Sequence, residues 1–399
     1  MVSKTYILII NCREVRTVKK IKFLHFGDLH LDMPFTSLGD TGLQSSVRRQ
    51  ELKECFDRVI GLAQKENVDI ILISGDLFEH SYIRKSTINH INDKFKQIEK
   101  IRVFIVPGNH DPLVVDSYYK TCEWSQNVTI LGEHAPSVML ESAGACIHGA
   151  GFRSFYEKES LVSSVSSANG NFINILLIHG TVDLKLDSGN YNPMTCEELD
   201  ALGMDYIALG HFHNRIEGIG ARRNIYNPGS PEPLGFDEQG KHGVFVGTLT
   251  KAEGEREGHL EVRFVETGLR EYKTLEVNVN GCSSEQQIVD RIALAIYREN
   301  AATDLFDVRL RGYLERHFTP DIGYIQRCFS DKVFFLKVRD ETAIDFDIEE
   351  ILKEPGLRGL FAQKLVSLME EEGNGDKELY KKALYYGLQA LENGEVHME

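Results

Sequence analysis

The stretch IKFLHFGDLH, Ile21–His30, decides the architecture. An apolar run of strand length, Ile21 to Phe26, stops at Gly27, and the next residues include Asp28 and His30, both of types that bind metal ions. Four later stretches repeat that design: VDIILISGDLF (68–78), IRVFIVPGNHD (101–111), NFINILLIHG (171–180) and MDYIALGHFH (204–213). Each is an apolar, β-branched run ended by a glycine or proline turn, so each reads as a buried strand whose carboxyl end carries polar donors. Between the first three runs the spacing predicts helices, with Leu52, Phe56, Val59 and Ala63 on one face and Ile88, Ile91, Phe95 and Ile98 on another. This alternation implies βαβ units, a largely parallel sheet and a site in the crevice beyond the strand ends.

The donors that collect there are Asp28, His30, Asp76, Asn109, His179, His211 and His213. Such a set suits two divalent cations roughly 3.5–4 Å apart, which can hold a hydroxide between them and stabilise both the attacking and the leaving oxygen of an in-line displacement at a phosphate ester. Asp76 is the natural bridge, with Asp28, His30 and His213 completing the first ion and Asn109, His179 and His211 the second. Mixed imidazole and oxygen donors favour manganese, iron or zinc over magnesium, without choosing among them. Any one of these fragments is common in unrelated proteins. Five in this order are specific.

The DLH, GD, GNHD, H and GHxH series resembles that of the calcineurin-like metallophosphoesterases over about residues 20 to 250. Within that superfamily the chain is most similar to the SbcD-type DNA-repair exonucleases, in particular a YhaO-like branch. KFLHFGDLHLD (22–32), GHFHNRIEG (210–218) and YNPGSPEPLGFDEQGKHGVFV (226–246) carry that narrower likeness. The resemblance implies an α/β fold: a metallo-dependent phosphatase-like sandwich of β-sheets flanked by helices, with a smaller α/β cap domain and a helical C-terminal tail. It also implies two divalent metal ions, Mn²⁺ by analogy, DNA as substrate, and an SbcC-like or YhaN-like coiled-coil ATPase as partner. It admits a homodimer. It makes His110 the catalytic histidine, a role that suits an imidazole titrating near neutrality. Asp111, the next residue, is expected to orient that ring. Some relatives carry a histidine where Glu79 stands here; Glu79 and the adjacent His80 are left outside the catalytic set. His148 and Arg153 could approach the site from a loop, whereas His25 reads as a core residue. His90, His134, His242, His259, His317 and His397 lack motif context.

Composition sets the outer bounds. The chain has 399 residues, of which 42% are hydrophobic, a formal net charge of −15 and no apolar run long enough to cross a bilayer, which predicts a soluble globular protein. Its seven cysteines (12, 55, 122, 146, 196, 282 and 328) are scattered without a CxxC pair, as expected of reduced thiols in a cytoplasm. Residues 1–19 read as an extension before the first strand, without the features of a cleaved leader. The acidic balance opposes strong unaided binding to a polyanion. More than half of it lies at the end of the chain, where residues 341–399 hold 14 Asp and Glu against 6 Lys and Arg.

Four segments follow: the extension 1–19, a catalytic domain over 20–250, a capping domain over 268–340 and a helical tail over 345–399. A boundary is expected near 250–268, where KAEGEREGHL is charged and contains glycine. Beyond it, Leu275, Val277 and Val279 suggest a strand, Ser284 with Gln287 a capping box, Val308 and Leu310 another strand, Thr319 and Pro320 the start of a short helix, and KVFFLKV a further strand. By resemblance this module lies over the metal site and limits which DNA ends enter. In the tail, Leu357, Leu360, Phe361, Leu365 and Leu368 form one stripe, and Tyr380, Leu384, Leu388 and Leu391 another, separated by EEGNGD. Such stripes either pack on their own domain or, as the resemblance implies, grip the ATPase. Two other functions remain open on sequence: a small-molecule or phosphoprotein phosphoesterase, and a non-catalytic scaffold for an ATPase on DNA.

Overall fold

A computed structural model describes residues 18–38, 43–132, 136–183, 191–297, 299, 302–314, 318–344, 346–370 and 377–393. Most of the N-terminal extension, Cys12, His134, His317, His397 and the EEGNGD breaker lie outside the described residues. The chain divides into two units, Met1–Glu271 and Tyr272–Glu399.

In the first unit the predicted strands form as β1 (Val18–Phe26), β2 (Ile70–Ile73) and β3 (Arg102–Ile105), followed by β4 (Val128–Ile130). The crossovers β1–β2 and β2–β3 are the helices α1 (Leu43–Glu66) and α2 (Lys85–Gln97), and a short α3 (Tyr118–Thr121) precedes β4. Both predicted helical stripes are buried, from Leu52 at 0% exposed to Ile98 at 3%. A second sheet uses β5 (Ser137–Leu140), β6 (Ala145–Ala150), β7 (Ile173–His179), β8 (Tyr206–Gly210), β9 (Ile216–Ile219) and β10 (Ile225–Asn227), with α4 (Cys196–Ala201) between β7 and β8. The long hairpin β11 (Gly243–Ala252) and β12 (His259–Glu266) returns to the first sheet. The orders are β12-β11-β1-β2-β3-β4 and β5-β6-β7-β8-β10-β9. β1 to β4 run parallel, as do β6, β7, β8 and β10, while the hairpin joins β1 antiparallel.

Between the sheets lies one core that includes Phe23, Leu72, Phe104, Ile147, Ile175, Leu177, Tyr206 and Leu249. Side chains alternate across each strand, so Phe23 faces this core while Leu24 and Phe26 are buried on the other face of β1. Each such buried side chain contributes roughly 1.5–3 kcal/mol. The parallel strands thereby end at one edge of the sandwich with their donor-bearing turns together.

The charged segment 253–258 is the turn of the β11–β12 hairpin, paired from Gly243 with Glu266 to Thr250 with His259, and the two units divide after Glu271. Charge gathers there because the turn lies in solvent, with residues 253–257 all exposed.

The second unit holds a parallel sheet of β13 (Tyr272–Asn278), β14 (Leu305–Arg311) and β16 (Phe335–Asp340), with α5 (Glu285–Ile296) and α6 (Ile322–Arg327). A two-stranded ladder joins β15 (Tyr313–Leu314) to β17 (Ala343–Ile344). Ser284 is the N-cap of α5, but its side chain makes no capping bond and Gln287 instead accepts from Ser283 N at 2.8 Å. At α6 the cap is Asp321, which accepts from Tyr324 N at 2.8 Å, rather than Thr319. The tail folds into α7 (Ile348–Ile351), α8 (Leu357–Glu370) and α9 (Lys377–Asn393). Leu384 and Leu388 are buried with Ala362, Phe346 and Ile351, and Phe361 and Leu365 pack against them. Gly387 lies against the Phe361 ring, where a Cβ has no room, so the absent side chain permits the close approach of α8 and α9. Leu357 and Leu360, by contrast, are exposed. The described cysteines are all free thiols, and no described helix is long and apolar enough to cross a membrane.

A buried ion pair links the two sheets. Lys251 Nζ on β11 donates to both oxygens of Asp205, at 3.2 and 3.0 Å, and to Phe172 O, while Asp205 also accepts from Asn174 N and Gly258 N. Removing one partner strands a buried charge. Lys251→Met is therefore expected to cost about 3–5 kcal/mol, read as a lowered midpoint in urea unfolding; an unchanged midpoint contradicts this.

Candidate metal centre

The turns after β1 and β2 are stitched together before any donor is placed. Asp28 N donates to Gly75 O, His30 N to Asp76 O and Leu31 N to Leu77 O, at 3.0–3.1 Å. These bonds hold Asp28, His30 and Asp76 in the left-handed region, with φ of 51°, 49° and 50°, a conformation that costs roughly 1–3 kcal/mol per residue and persists only where the surroundings enforce it. Gly75, at φ 95°, lies against the His179 ring, and Gly108 lies against the Asp76 carboxylate; neither position has room for a Cβ.

All seven sequence-predicted donors come together. Asp28, His30 and His213 form one group and Asp76, His179 and His211 another, each with donor atoms within 4.8 Å of one another. Asp76 lies between them, with Oδ2 at 3.3 Å from His179 Nε2 and 3.7 Å from His30 Nε2. Asn109 Oδ1 faces His179 Nε2 at 3.0 Å and His211 Nδ1 at 3.2 Å. His30 Nε2 and His213 Nε2 point at each other at 3.1 Å.

Over this geometry runs a sequence match to the family described as calcineurin-like phosphoesterase, covering residues 21–215. These residues are a calcineurin-like phosphoesterase domain. The chain is 28% identical over 240 residues to the metallophosphoesterase YhaO of Bacillus subtilis (strain 168), covering 58% of each chain. It is 25% identical over 288 residues to the DNA double-strand break repair protein Mre11 of Methanopyrus kandleri, covering 64% of this chain and 57% of that protein. To the SbcD component of the nuclease SbcCD of Escherichia coli (strain K12) it is 24% identical over 278 residues, covering 59% of this chain and 66% of that one. The chain thus spans less than two thirds of the length of each of these relatives.

The phosphoesterase family uses divalent metals, and the donor set of this domain fits them. His30 Nδ1 donates to Glu79 Oε1 at 2.7 Å, His213 Nδ1 to Glu238 Oε1 at 2.7 Å, and His179 Nδ1 to Ser74 O at 2.8 Å. Each ring proton is thereby taken outward, which turns the Nε2 lone pairs inward. Lone pairs facing each other at 3.1 Å repel unless a proton or a cation lies between them.

Sequence reasoning does not single out Glu238 and sets Glu79 aside, yet both act at the cluster. Glu238 is held by Ser230 Oγ at 2.6 Å and Leu234 N at 3.0 Å, so the PGSPE segment acts through Glu238 on His213. Glu79 also accepts from His110 Nδ1, at 3.0 Å. Its position directly after GDLF is the available signal; Glu238 lies inside a quoted segment but in no metal-binding pattern. Asp111 does not orient the His110 ring. Its oxygens accept from Asp76 N, Leu77 N, Gly108 N and Tyr119 Oη at 2.7–3.1 Å, so it ties the GDLF and GNHD turns together. The correction has a simple cause: a short carboxylate beside three inward amide protons is satisfied by them, and the ring turns to Glu79.

The remaining candidates stay outside the cluster. His25, on β1, faces Tyr206 Oη and Ser74 Oγ, and burial pushes it down to about 3. His148 faces Asn174. Arg153 is an exposed turn residue, and His80 sits against Phe155 and Asp116.

Opposed charges set the protonation of the cluster. Burial lowers the His179 imidazole, but the Asp76 carboxylate overrides it and raises it to about 9. At His213 burial is likewise overridden by Glu238, again to about 9. Burial and the His179 charge push His211 down to about 3. Burial would raise Glu79, but His110 and His30 hold it at about 2. Since His179 and His213 carry protons below about 9, cations must displace them. Metal uptake should therefore release protons and tighten as pH rises from 6 towards 9, as read by titration with Mn²⁺. Glu238→Ala frees the His213 ring and should weaken uptake by about 10–100-fold; unchanged metal content after gel filtration contradicts that role.

Proposed function

We propose that this chain is a metal-dependent phosphodiesterase that cleaves DNA in repair, most effectively with Mn²⁺, in the cytoplasm and in company with a coiled-coil ATPase. The observation that carries this reading is the convergence of six donors around Asp76 with His110 at their edge, half exposed and held by Glu79. Two bound divalent cations supply charge neutralisation at the phosphate and stabilise the attacking and leaving oxygens.

The protein's own residues do the rest. Asp28, His30 and His213 would hold one cation, Asn109, His179 and His211 the other, with Asp76 placed to serve both. Burial lowers the His110 imidazole, but the hydrogen bond to Glu79 overrides it, and the net shift is upward. The ring can therefore keep a proton near neutral pH and, through Nε2, deliver it to the leaving oxygen. The SbcD and Mre11 relatives support DNA as substrate and an SbcC-like partner. In this reading residues 20–250 cut, residues 268–340 select DNA ends and residues 345–399 bind the ATPase.

Asp76→Ala should abolish cleavage and release metal. His110→Gln should lower turnover by about 10²–10⁴-fold with metal content near wild type. His110 also lies within donor distance of His30 and Asp76, so metal loss in that variant would make it a ligand instead. The substrate is read by digesting end-labelled DNA with Mn²⁺, Mg²⁺ or chelator, with and without the ATPase. Intact DNA alongside rapid hydrolysis of a mononucleotide ester or phosphoprotein would replace the nuclease reading. Metal-dependent activity on none of these would leave a scaffold.

The exposed leucines of α8 specify the partner face. Leu357→Asp with Leu360→Asp changes residues that are 71% and 63% exposed, so folding should be unaffected while co-purification with the ATPase is lost. Retained co-purification would limit the tail to packing within its own unit.

A further inference from the structure

Beside the donor cluster opens a recess of about 160 Å³ lined by Asn109, His110, Phe155, Tyr156 and Tyr191, among others. A column of rings runs from the cluster to this recess. His179 packs on His211 at 5.1 Å, His211 on Tyr191 at 5.4 Å, and Tyr191 stacks on Tyr156 at 5.7 Å with 25° between planes. The column ends in solvent, where Tyr156 is 66% exposed. Its neighbour Phe155 is 37% exposed and packs edge-on against His80.

These rings sit on a braced turn. Glu157 Oε1 accepts from Arg153 N at 2.9 Å and Ser154 N at 3.2 Å, and Ser154 Oγ donates to Tyr156 O at 2.7 Å. Asn192 N donates to Glu157 O, and Asn192 Nδ2 donates to His179 O at 2.7 Å, which ties the turn to the end of β7 that carries a donor. Exposed aromatic rings are costly to leave in water, and two of them on a braced turn beside a phosphate-handling site, Tyr156 backed by Tyr191 and Phe155 by His80, offer π-faces to a flat ligand.

We propose that Phe155 and Tyr156 form a stacking subsite for an unpaired nucleobase of the nucleotide adjoining the phosphate at the donor cluster. The proposal rests on the nucleic-acid reading above. The recess shares Asn109 and His110 with the cluster, so it lies within reach of a group attached to a phosphate held there, and in nucleic acid the flat group at that reach is a base. A base within a duplex has both faces covered. Only an unpaired or flipped base can stack here, and because every base has a π-face the subsite tolerates sequence. It follows that single-stranded or frayed ends are preferred for a reason built into the phosphoesterase domain itself.

Two readouts on the full-length protein separate this from the parent reading. The first is quenching of 2-aminopurine placed at either terminal nucleotide of a single-stranded oligonucleotide, measured in chelator so that no turnover occurs. Wild type should quench it; Phe155→Ala with Tyr156→Ala should not, and Tyr156→Phe should restore quenching to the level of Phe155→Ala alone. The second is cleavage with Mn²⁺ of base-bearing against terminally abasic strands. The wild-type preference for the base-bearing strand should be about tenfold and should collapse towards unity in the double alanine variant. Quenching that survives in the double variant, or cleavage without discrimination in wild type, overturns the stacking subsite while the nuclease stands. Quenching lost as expected, with no strand cleaved by wild type, overturns the nuclease and leaves base binding.

Discussion

The arrangement depends on holding several buried polar side chains together around Asp76. A carboxylate and several imidazoles do not converge unaided, because each is better solvated in water and the attraction between Asp76 and His179 offsets only part of that cost. The protein meets that cost with main-chain hydrogen bonds between turns. The β1 and β2 turns are stitched by Asp28 N, His30 N and Leu31 N, Asp111 ties the GNHD turn to the same place, and Asp76 Oδ1 itself accepts His110 N at 2.7 Å. Left-handed Asp28, His30 and Asp76 are the visible consequence. The sandwich supplies the rigidity, since fully buried strands leave the turns little freedom to relax.

Around that centre a ring of acceptors fixes the imidazoles. Glu79, Glu238 and the Ser74 carbonyl each take one ring proton, and Ser230 in turn holds Glu238. Further out, the buried Arg48 donates to Glu51 and Glu232, and Arg58 donates to Glu232, anchoring the PGSPE segment to α1. The loop that positions His213 is thereby secured to a long crossover helix. A charged group buried this deeply is tolerable because its terminal nitrogens meet two carboxylates and the Pro233 carbonyl.

The side chains that the fold brings together around Asp76 were legible in the sequence as candidates because each follows a strand run and carries its own local signature, from Asp28 after Gly27 to His211 after Gly210. Strand periodicity and glycine turns are short-range properties, and so is the helical stripe from Leu52 to Ala63. The sandwich class followed from these together with the resemblance. The charge of 253–258 was visible too, but charge marks solvent exposure and does not distinguish a linker from the turn of an edge hairpin.

Tertiary structure alone decided the partners. Glu79 meets His110 across 31 residues and His30 across 49, and Glu238 meets His213 across 25, separations that no local pattern encodes. Asp111 adjoins His110 in sequence, yet its carboxylate turns to main-chain amides of two turns instead. In the tail, period alone placed Leu360 and Leu388 in apolar stripes, but only packing left one exposed and buried the other. The aromatic column from His179 to Tyr156 likewise joins β7, two turns and the GHFH segment, and it exists only once they are folded together. Sequence determines which groups stand at the ends of elements, because backbone preference and hydrophobic period are local. The fold determines which of those groups touch, because burial and hydrogen bonding are settled between residues far apart in the chain.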